Sequence, residues 1–212
     1  MPPSPPTTPG RLILASGSPQ RRKLLADAGY RFEVIAPQIV EEQGACSQCG
    51  PAELVSILAL RKAAAVVQGE PRQRLNEQQV DDSVTVIGCD TVAECGGEIL
   101  GKPQNAEHAR KMLERLSGQS HRVYSGLCIW SVSIGVPATR VAVTHLQMDR
   151  LTEEAIDTYL QTDLWQGKAG AFGYQDGPDW LHLEQGSESN VVGLPLELLA
   201  EMLRVIEAPE RP

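Results

Sequence analysis

The sequence predicts an α/β domain. Three observations carry that prediction. The chain opens with a strand, a tight turn and a helix; apolar β-like runs then alternate with helical segments without internal repeat. The 212 residues are 42% hydrophobic and 22% charged, a globular composition that excludes a disordered, collagenous or coiled-coil chain. The length favours one large domain over residues 11–207, between tails at 1–10 and 208–212.

Arg11-Leu-Ile-Leu-Ala-Ser16 reads as a short strand. A helix follows from Pro19 to Ala28, with Ser18 as N-cap, proline at the first helical position and Gly29 just past the end. Phe32 to Ala36 reads as a second strand. Pro51 to Gln68 reads as a long helix, apolar almost all round and therefore buried. Residues 69–83 form a solvated loop by composition. Val84 to Asp90 is a continuous apolar run ending in an acid, the pattern of a central strand buried on both faces. A hairpin over Thr91 to Gly101 turns at Cys95-Gly96-Gly97. Asn105 starts a helix to Leu116, and long strands over Arg122 to Ser133 and Ala138 to Asp149 join at Gly135-Val-Pro137. Helices at Thr152 to Gln161 and Pro195 to Ile206 bracket a Gly-rich stretch from Gly167 to Gly177.

The net charge is −8, which disfavours a nucleic-acid polymer as partner while allowing a small anion held by a few converging cations. No apolar run approaches the roughly 20 residues of a membrane span, so no membrane partner is expected. Met1 to Gly10 has neither a basic nor an apolar leader region, which points to the cytoplasm. Five cysteines cannot all pair, and reduced thiols are expected.

The first group with chemistry in it is Ser16-Gly17-Ser18-Pro19-Gln20-Arg21-Arg22. A helix N-terminus offers free N–H groups and about half a positive charge, which favours a phosphate. Ser16, Ser18, Arg21 and Arg22 add hydroxyls and guanidinium groups to it. A capped helix with solvated arginines is the competing reading. Asp90, ending its strand, stands where open α/β sheets place ligands, able to hold a metal or take a proton from water. It competes with an acid that caps a turn. Lys62 follows Val55 by seven and Leu58 by four on an apolar helix, so either an anion meets it or it snorkels outward. The residues alone favour snorkelling.

Gly96 to Lys102 matches a phosphate-binding P-loop as far as its lysine, but Pro103 replaces the hydroxyl that holds magnesium, and the glycines precede a strand. That motif is rejected; a lysine aimed at a phosphate is not. Cys46 and Cys49 have zinc spacing without a second pair, a weak signal. His108, His121, His145 and His182 form no metal motif, and no nucleophile elbow is present.

Six segments in order, Leu12 to Arg22, Ile87 to Thr91, Ile99 to Pro103, Leu116 to His121, Lys168 to Gln175 and Val191 to Leu196, resemble the Maf family of nucleoside triphosphate pyrophosphatases. The resemblance covers Leu12 to Leu203. It implies the fold shared with inosine triphosphate pyrophosphatases, a mixed twisted sheet flanked by helices with a central cleft. It further implies hydrolysis of a nucleoside triphosphate to the monophosphate and pyrophosphate with Mg²⁺ or Mn²⁺. Asp90 matches the catalytic aspartate, and Ser16, Arg21, Lys62 and Lys102 match the phosphate contacts; Lys168, which opens the fifth matched segment, is a further substrate-binding candidate. The family's two acids after the second strand fall on Val40 and Glu41, so Glu41 inherits the metal role with Asp90, and Glu42 leaves the register open by one residue. A homodimer is left open.

Three positions separate branches of that family: Arg, Thr and Gln for dTTP/UTP, or an aromatic residue, Gln and Glu for 7-methyl-GTP. Here they are Gln20, Thr91 and Gln175, two of which favour the pyrimidine branch. Tyr174-Gln-Asp176 replaces the usual Ile-Gln-Gly. A non-catalytic, nucleotide-binding regulator of division is the alternative from another class, and Asp90 beside two lysines argues for catalysis instead.

Overall fold

A computed structural model describes residues 10–37, 49–69 and 84–207. The expected tails, the 69–83 loop beyond Gly69, and Glu41, Glu42 and Cys46 lie outside the described residues. The elements are β1 (Arg11–Ala15), α1 (Pro19–Asp27), β2 (Glu33–Val34), α2 (Pro51–Gln68), β3 (Val84–Cys95), β4 (Glu98–Leu100) and α3 (Ala106–Leu116). They continue with β5 (Ser120–Ser131), β6 (Pro137–Met148), α4 (Glu153–Gln161), β7 (Leu181–Gln185), α5 (Glu188–Val192) and α6 (Leu196–Glu207). Short 3₁₀ turns occupy Ala169–Ala171 and Tyr174–Asp176.

The strands form a seven-stranded mixed sheet in the order β2-β1-β3-β5-β6-β7, with β4 on β3. β1 is parallel to β2 and β3, whereas β3–β4 and β6–β7 are antiparallel. This is the expected α/β class. One boundary differs with consequence: the strand expected to stop at Asp90 runs on to Cys95. Its first half pairs with β1, ending at Ala15↔Gly88, and its second half pairs with β4 from Ala93↔Leu100. The run Val84 to Asp90 and the first arm of the hairpin are one strand with two partners, and Asp90 lies between those pairings.

The chain divides into two compact units, one of Met1–Asp90, Ser125–Val141 and Gly193–Pro212, the other of Thr91–Tyr124 and Ala142–Val192. In the first, the sheet is buried on both faces, which is why β1 and β3 read as unbroken apolar runs. Ile13, Ala15, Val86 and Cys128 pack with Ala59, Ala63 and Val66 of α2. Leu12, Leu14, Ile87, Cys89, Leu127 and Ile129 pack with Leu25 of α1 and Leu199, Met202 and Leu203 of α6. Each fully buried Leu or Ile contributes about 1.5–3 kcal/mol of transfer free energy.

Two glycines set how closely α2 approaches. A Cβ at Gly88 would lie 2.9 Å from the Ala63 nitrogen and nearer still to the Ala59 carbonyl; one at Gly126 would lie 2.8 Å from the Ser56 nitrogen. The helix backbone therefore rests directly on β3 and β5 where no side chain intervenes. The expectation that α2 is buried all round is corrected: its buried residues are Val55, Ala59, Lys62, Ala63, Val66 and Val67, one face against the sheet.

The second unit has its own core, in which Ala109, Met112, Leu113 and Leu116 of α3 meet Leu146, Met148, Trp165 and Phe172. The three- and four-residue spacing on α3 is that of an amphipathic helix. Asn105 caps it by accepting from the His108 N–H at 2.8 Å. Gly96 and Gly97, at φ 58° and 87°, make the hairpin turn in the left-handed region that glycine favours.

Candidate functional site

In the first unit, the turn after β1 is held by its own side chains. Ser16 is buried, and its Oγ accepts from the Ser18 N–H at 3.2 Å and from Arg21 Nη1 at 3.4 Å. Ser18 caps α1 by accepting from the Arg21 N–H at 3.4 Å, and donates to Gln20 Oε1 at 2.9 Å. Arg21 Nε donates to the Gly193 carbonyl at 2.7 Å, and the Cys89 thiol donates to the same oxygen at 3.2 Å. The first turn of α1 carries no acid. Its partial positive charge is unopposed there by any side chain of its own, beside the half-buried Arg21 and the exposed Arg22.

Asp90 and Lys62 meet. Strand alternation puts Asp90 on the same face as Gly88, and the helical repeat puts Lys62 on the same face as Ala59. Because the glycine lets α2 sit on β3, the two charged groups come together as a hydrogen-bonded ion pair. Their side chains are only 10% and 12% exposed. Snorkelling, which the residues of α2 alone favour, does not occur: Lys62 has the anion it needs. Nor does Asp90 cap a turn, since it lies within β3.

In the second unit, Thr91 is half-buried and Lys102 exposed, just past β4. Lys168 is ion-paired with Asp176, and the pair sits over the Cα of Gly173, where any Cβ would collide with both side chains. The Gly173 N–H donates to the Tyr159 hydroxyl at 3.1 Å, and the Gly170 N–H donates to the Gly101 carbonyl at 3.0 Å. Burial, with a further contribution from the charge of Asp176, pushes the Tyr159 pKa up to about 12. Gln175 is exposed on the Tyr174–Asp176 turn.

The same unit holds a buried polar group that sequence reasoning passed over. Glu94, only 3% exposed, accepts from Arg122 Nε at 2.8 Å and the Gly97 N–H at 2.7 Å. Burial raises its pKa, but the Arg122 and Gly97 hydrogen bonds and the Arg122 charge outweigh it and leave the carboxyl below its ordinary value. His121 is equally buried, edge-on to Phe172 at 5.3 Å between centroids, with Nδ1 3.3 Å from the Gln119 carbonyl. Its Nε2 has no hydrogen-bond partner among the described residues. Burial lowers its pKa, against smaller upward effects of the Gln119 carbonyl and Glu94.

The structure thus joins Ser16, Ser18, Gln20 and Arg21 in one network and Lys62 with Asp90 in another. It gives Lys168 a partner, Asp176, that sequence reasoning had noticed only as a departure from a motif. The Gly193 carbonyl was also missed, and no side-chain pattern signals it. No group of three His, Cys, Asp or Glu side chains gathers among the described residues; of the expected metal pair Asp90 is described, and Glu41 lies outside the described residues. Cys89, Cys95 and Cys128 are outside any disulfide, whereas Cys49 is disulfide-bonded, a correction to the expectation of reduced cysteines.

The family model described as Maf-like protein matches residues 11–206. A dTTP/UTP pyrophosphatase of Rhodopirellula baltica is 48% identical over 200 residues, covering 94% of this chain and 83% of its own. Proteins of the same name from Bacillus cytotoxicus and Bacillus cereus are each 38% identical, covering 93% and 92% of this chain and 96% and 94% of theirs. With a family model matched from β1 to α6 and relatives covered over most of their length, the chain belongs to the Maf-like family.

Proposed function

We propose that this chain is a nucleoside triphosphate pyrophosphatase that hydrolyses dTTP and UTP to the monophosphate and pyrophosphate. The observation that carries the reading is the buried Lys62–Asp90 pair, in the same unit as a helix N-terminus furnished with Ser16, Ser18 and Arg21. A buried carboxylate kept beside a lysine is more than binding requires, and it supplies a base. The names of the relatives supply the substrate class.

In this reading water attacks the α-phosphorus, a new P–O bond forms, the bond to the bridging α–β oxygen breaks, and pyrophosphate leaves. Asp90 takes the proton of the attacking water. Lys62 orients that carboxylate and offers N–H donors to phosphate oxygens. Ser16, Ser18, Arg21, Arg22 and the N–H groups opening α1 bind the polyphosphate. Lys102 is a further phosphate contact, and Gln20, Thr91 and Gln175 bear on the choice of base. Asp90 offers the oxygen donor that Mg²⁺ or Mn²⁺ prefers, and such ions are commonly held by one or two carboxylates plus substrate phosphates. Asp90, with Glu41, would hold one, which when bound neutralises phosphate charge. The setting is the cytoplasm.

Pyrophosphate release across a nucleotide panel tests the reading. The expected order is dTTP and UTP ahead of 7-methyl-GTP. No release from any nucleotide with Mg²⁺ or Mn²⁺ present overturns the enzyme; 7-methyl-GTP in first place overturns the branch.

A further inference from the structure

We propose that Asp176 is a positioning residue for base selection, and that Lys168 serves here to clamp Asp176 instead of gripping phosphate. The inference rests on the pyrophosphatase reading and deepens it. Gln175 is exposed, and its side-chain amide makes no hydrogen bond to any described residue. Both of its neighbours, by contrast, are tied. The Tyr174 hydroxyl donates to Glu188 at 3.2 Å, and Asp176 is ion-paired with Lys168. The turn is closed by the Gly177 N–H donating to the Tyr174 carbonyl at 3.1 Å, with Gly177 itself left-handed at φ 70°.

The ends of the segment are pinned as well. Gly173 hangs on the Tyr159 hydroxyl, and Gly170, at φ 71°, on the Gly101 carbonyl. A Cβ at Gly173 would meet the Asp176 carboxylate and the Lys168 ammonium, so the absence of a side chain there leaves room for the pair. The outcome is one unengaged donor–acceptor side chain held out from a fastened backbone. An amide of that kind can pair with the alternating carbonyl and N–H edge of a pyrimidine. Its direction is set by the backbone on either side, hence by the carboxylate that follows it. Lys62 is paired with a carboxylate too, but its partner Asp90 is the base of the proposed reaction, whereas the carboxylate paired with Lys168 directly follows Gln175, so loss of that pair bears first on the side chain that reads the base.

The two roles of Lys168 differ in what they predict. A phosphate grip is blind to the base, so its loss weakens every triphosphate alike. A clamp acts only where Gln175 acts. We therefore expect Asp176→Asn and Lys168→Met each to lower kcat/KM for dTTP and UTP by at least about fivefold. The double variant is expected to be no worse than the poorer single, because residues that act as a unit are not additive. Inhibition by inorganic tripolyphosphate, which has phosphates and no base, should stay within about twofold of the unmodified protein in all three. In a Gln175→Ala background Asp176→Asn should have no further effect.

Hydrogen exchange of the amides from 169 to 177 supplies a readout independent of turnover: Asp176→Asn should exchange faster there, with the rest of the second unit unchanged. Unaltered exchange and unaltered kcat/KM in Asp176→Asn overturn the clamp, as does a loss of tripolyphosphate inhibition in Lys168→Met. If the unmodified protein releases no pyrophosphate, the enzyme reading fails, and the exchange measurement still decides whether Asp176 holds the turn.

Discussion

Replacing Gly88 with alanine puts one methyl group between α2 and β3, and the consequence follows from distances. That carbon would lie 2.9 Å from the Ala63 nitrogen and 3.1 Å from the Ala63 Cβ, and closer again to the Ala59 carbonyl. Ordinary carbon contacts fall near 3.5–4.0 Å, and the Ala59 carbonyl is the tightest of the three, so the helix must retreat by roughly 1 Å or more or the strand must bulge. Overpacking of this kind costs about 1–3 kcal/mol. For a chain of roughly 200 residues each kcal/mol moves the melting midpoint by about 2–4 °C, so a fall of about 2–12 °C is expected. Lys62 rides on the displaced turn, and a misplacement near 1 Å in a reacting group can cost about 10²-fold in rate. Activity should therefore fall further than the stability loss explains, in protein that is still folded. Thermal unfolding by circular dichroism and pyrophosphate release at a temperature well below both midpoints measure the two effects separately. Gly50→Ala is the control: nothing lies within 4 Å of a Cβ there and φ is −66°, so the cost should be under about 1 kcal/mol. A Gly88→Ala protein with the melting midpoint and turnover of the unmodified chain would refute the close approach and, with it, the account of how Lys62 reaches Asp90.

Asp90→Asn should lose at least about 10²-fold in turnover, the usual range of general-base assistance, while dTTP still raises the melting midpoint; near-normal turnover removes Asp90 from catalysis. Lys62→Met strands a carboxylate whose side chain is 12% exposed, and breaking a buried pair costs about 3–5 kcal/mol. Lys62→Met with Asp90→Asn should recover part of that stability and none of the activity, so equal melting midpoints for Lys62→Met and the unmodified chain would argue against a structural pair. Burial holds the His121 pKa below its ordinary 6.5, so as pH falls from about 6.5 the unfolded chain takes up a proton that the folded one resists. The contribution of the neutral ring is present above that pH and lost as pH falls through the folded pKa. His121→Phe, which keeps an aromatic edge for Phe172, should lose less stability than the unmodified chain between about pH 7.5 and 5.5; parallel losses would contradict the burial effect. Glu94, held low by Arg122 and Gly97, gives a separate acid transition that begins below its ordinary 4.5 and should move upward in Arg122→Met.

Local signals in the sequence were legible wherever the cause is local. Ser18 and Pro19 announce α1, Asn105 announces α3, and Gly96-Gly97 announces the hairpin, because a cap or a positive φ depends on neighbours a few residues away. The pairing of Lys62 with Asp90 spans 28 residues and is invisible to periodicity. Its signal was nonetheless present: two charged residues, each embedded in an apolar run, must satisfy one another or leave the core. The glycines at 88 and 126 were similarly available, since glycine inside a strand marks a close backbone approach. β7 was missed because Leu-His-Leu-Glu-Gln buries only Leu181 fully and mimics a loop. The length of β3 was missed because the change of partner from β1 to β4 leaves no mark in composition. The Gly193 carbonyl and the Lys168–Asp176 clasp belong to backbone geometry and to a turn with no periodic pattern.

The hydrogen bond from Arg21 to the Gly193 carbonyl bridges 172 residues, and it bears on how the protein is made. During synthesis, at about 5–20 residues per second, Ser16, Lys62 and Asp90 have all emerged well before the carbonyl that aligns Arg21 exists. Leu199, Met202 and Leu203 of α6, which cover one face of the sheet in the first unit, arrive later still. Until α6 emerges, the face of the sheet that carries Leu12, Leu14 and Ile87 lacks the cover of Leu199, Met202 and Leu203. Ribosome stalling or premature termination ahead of α6 would yield an inactive, aggregation-prone fragment in place of a weakened enzyme.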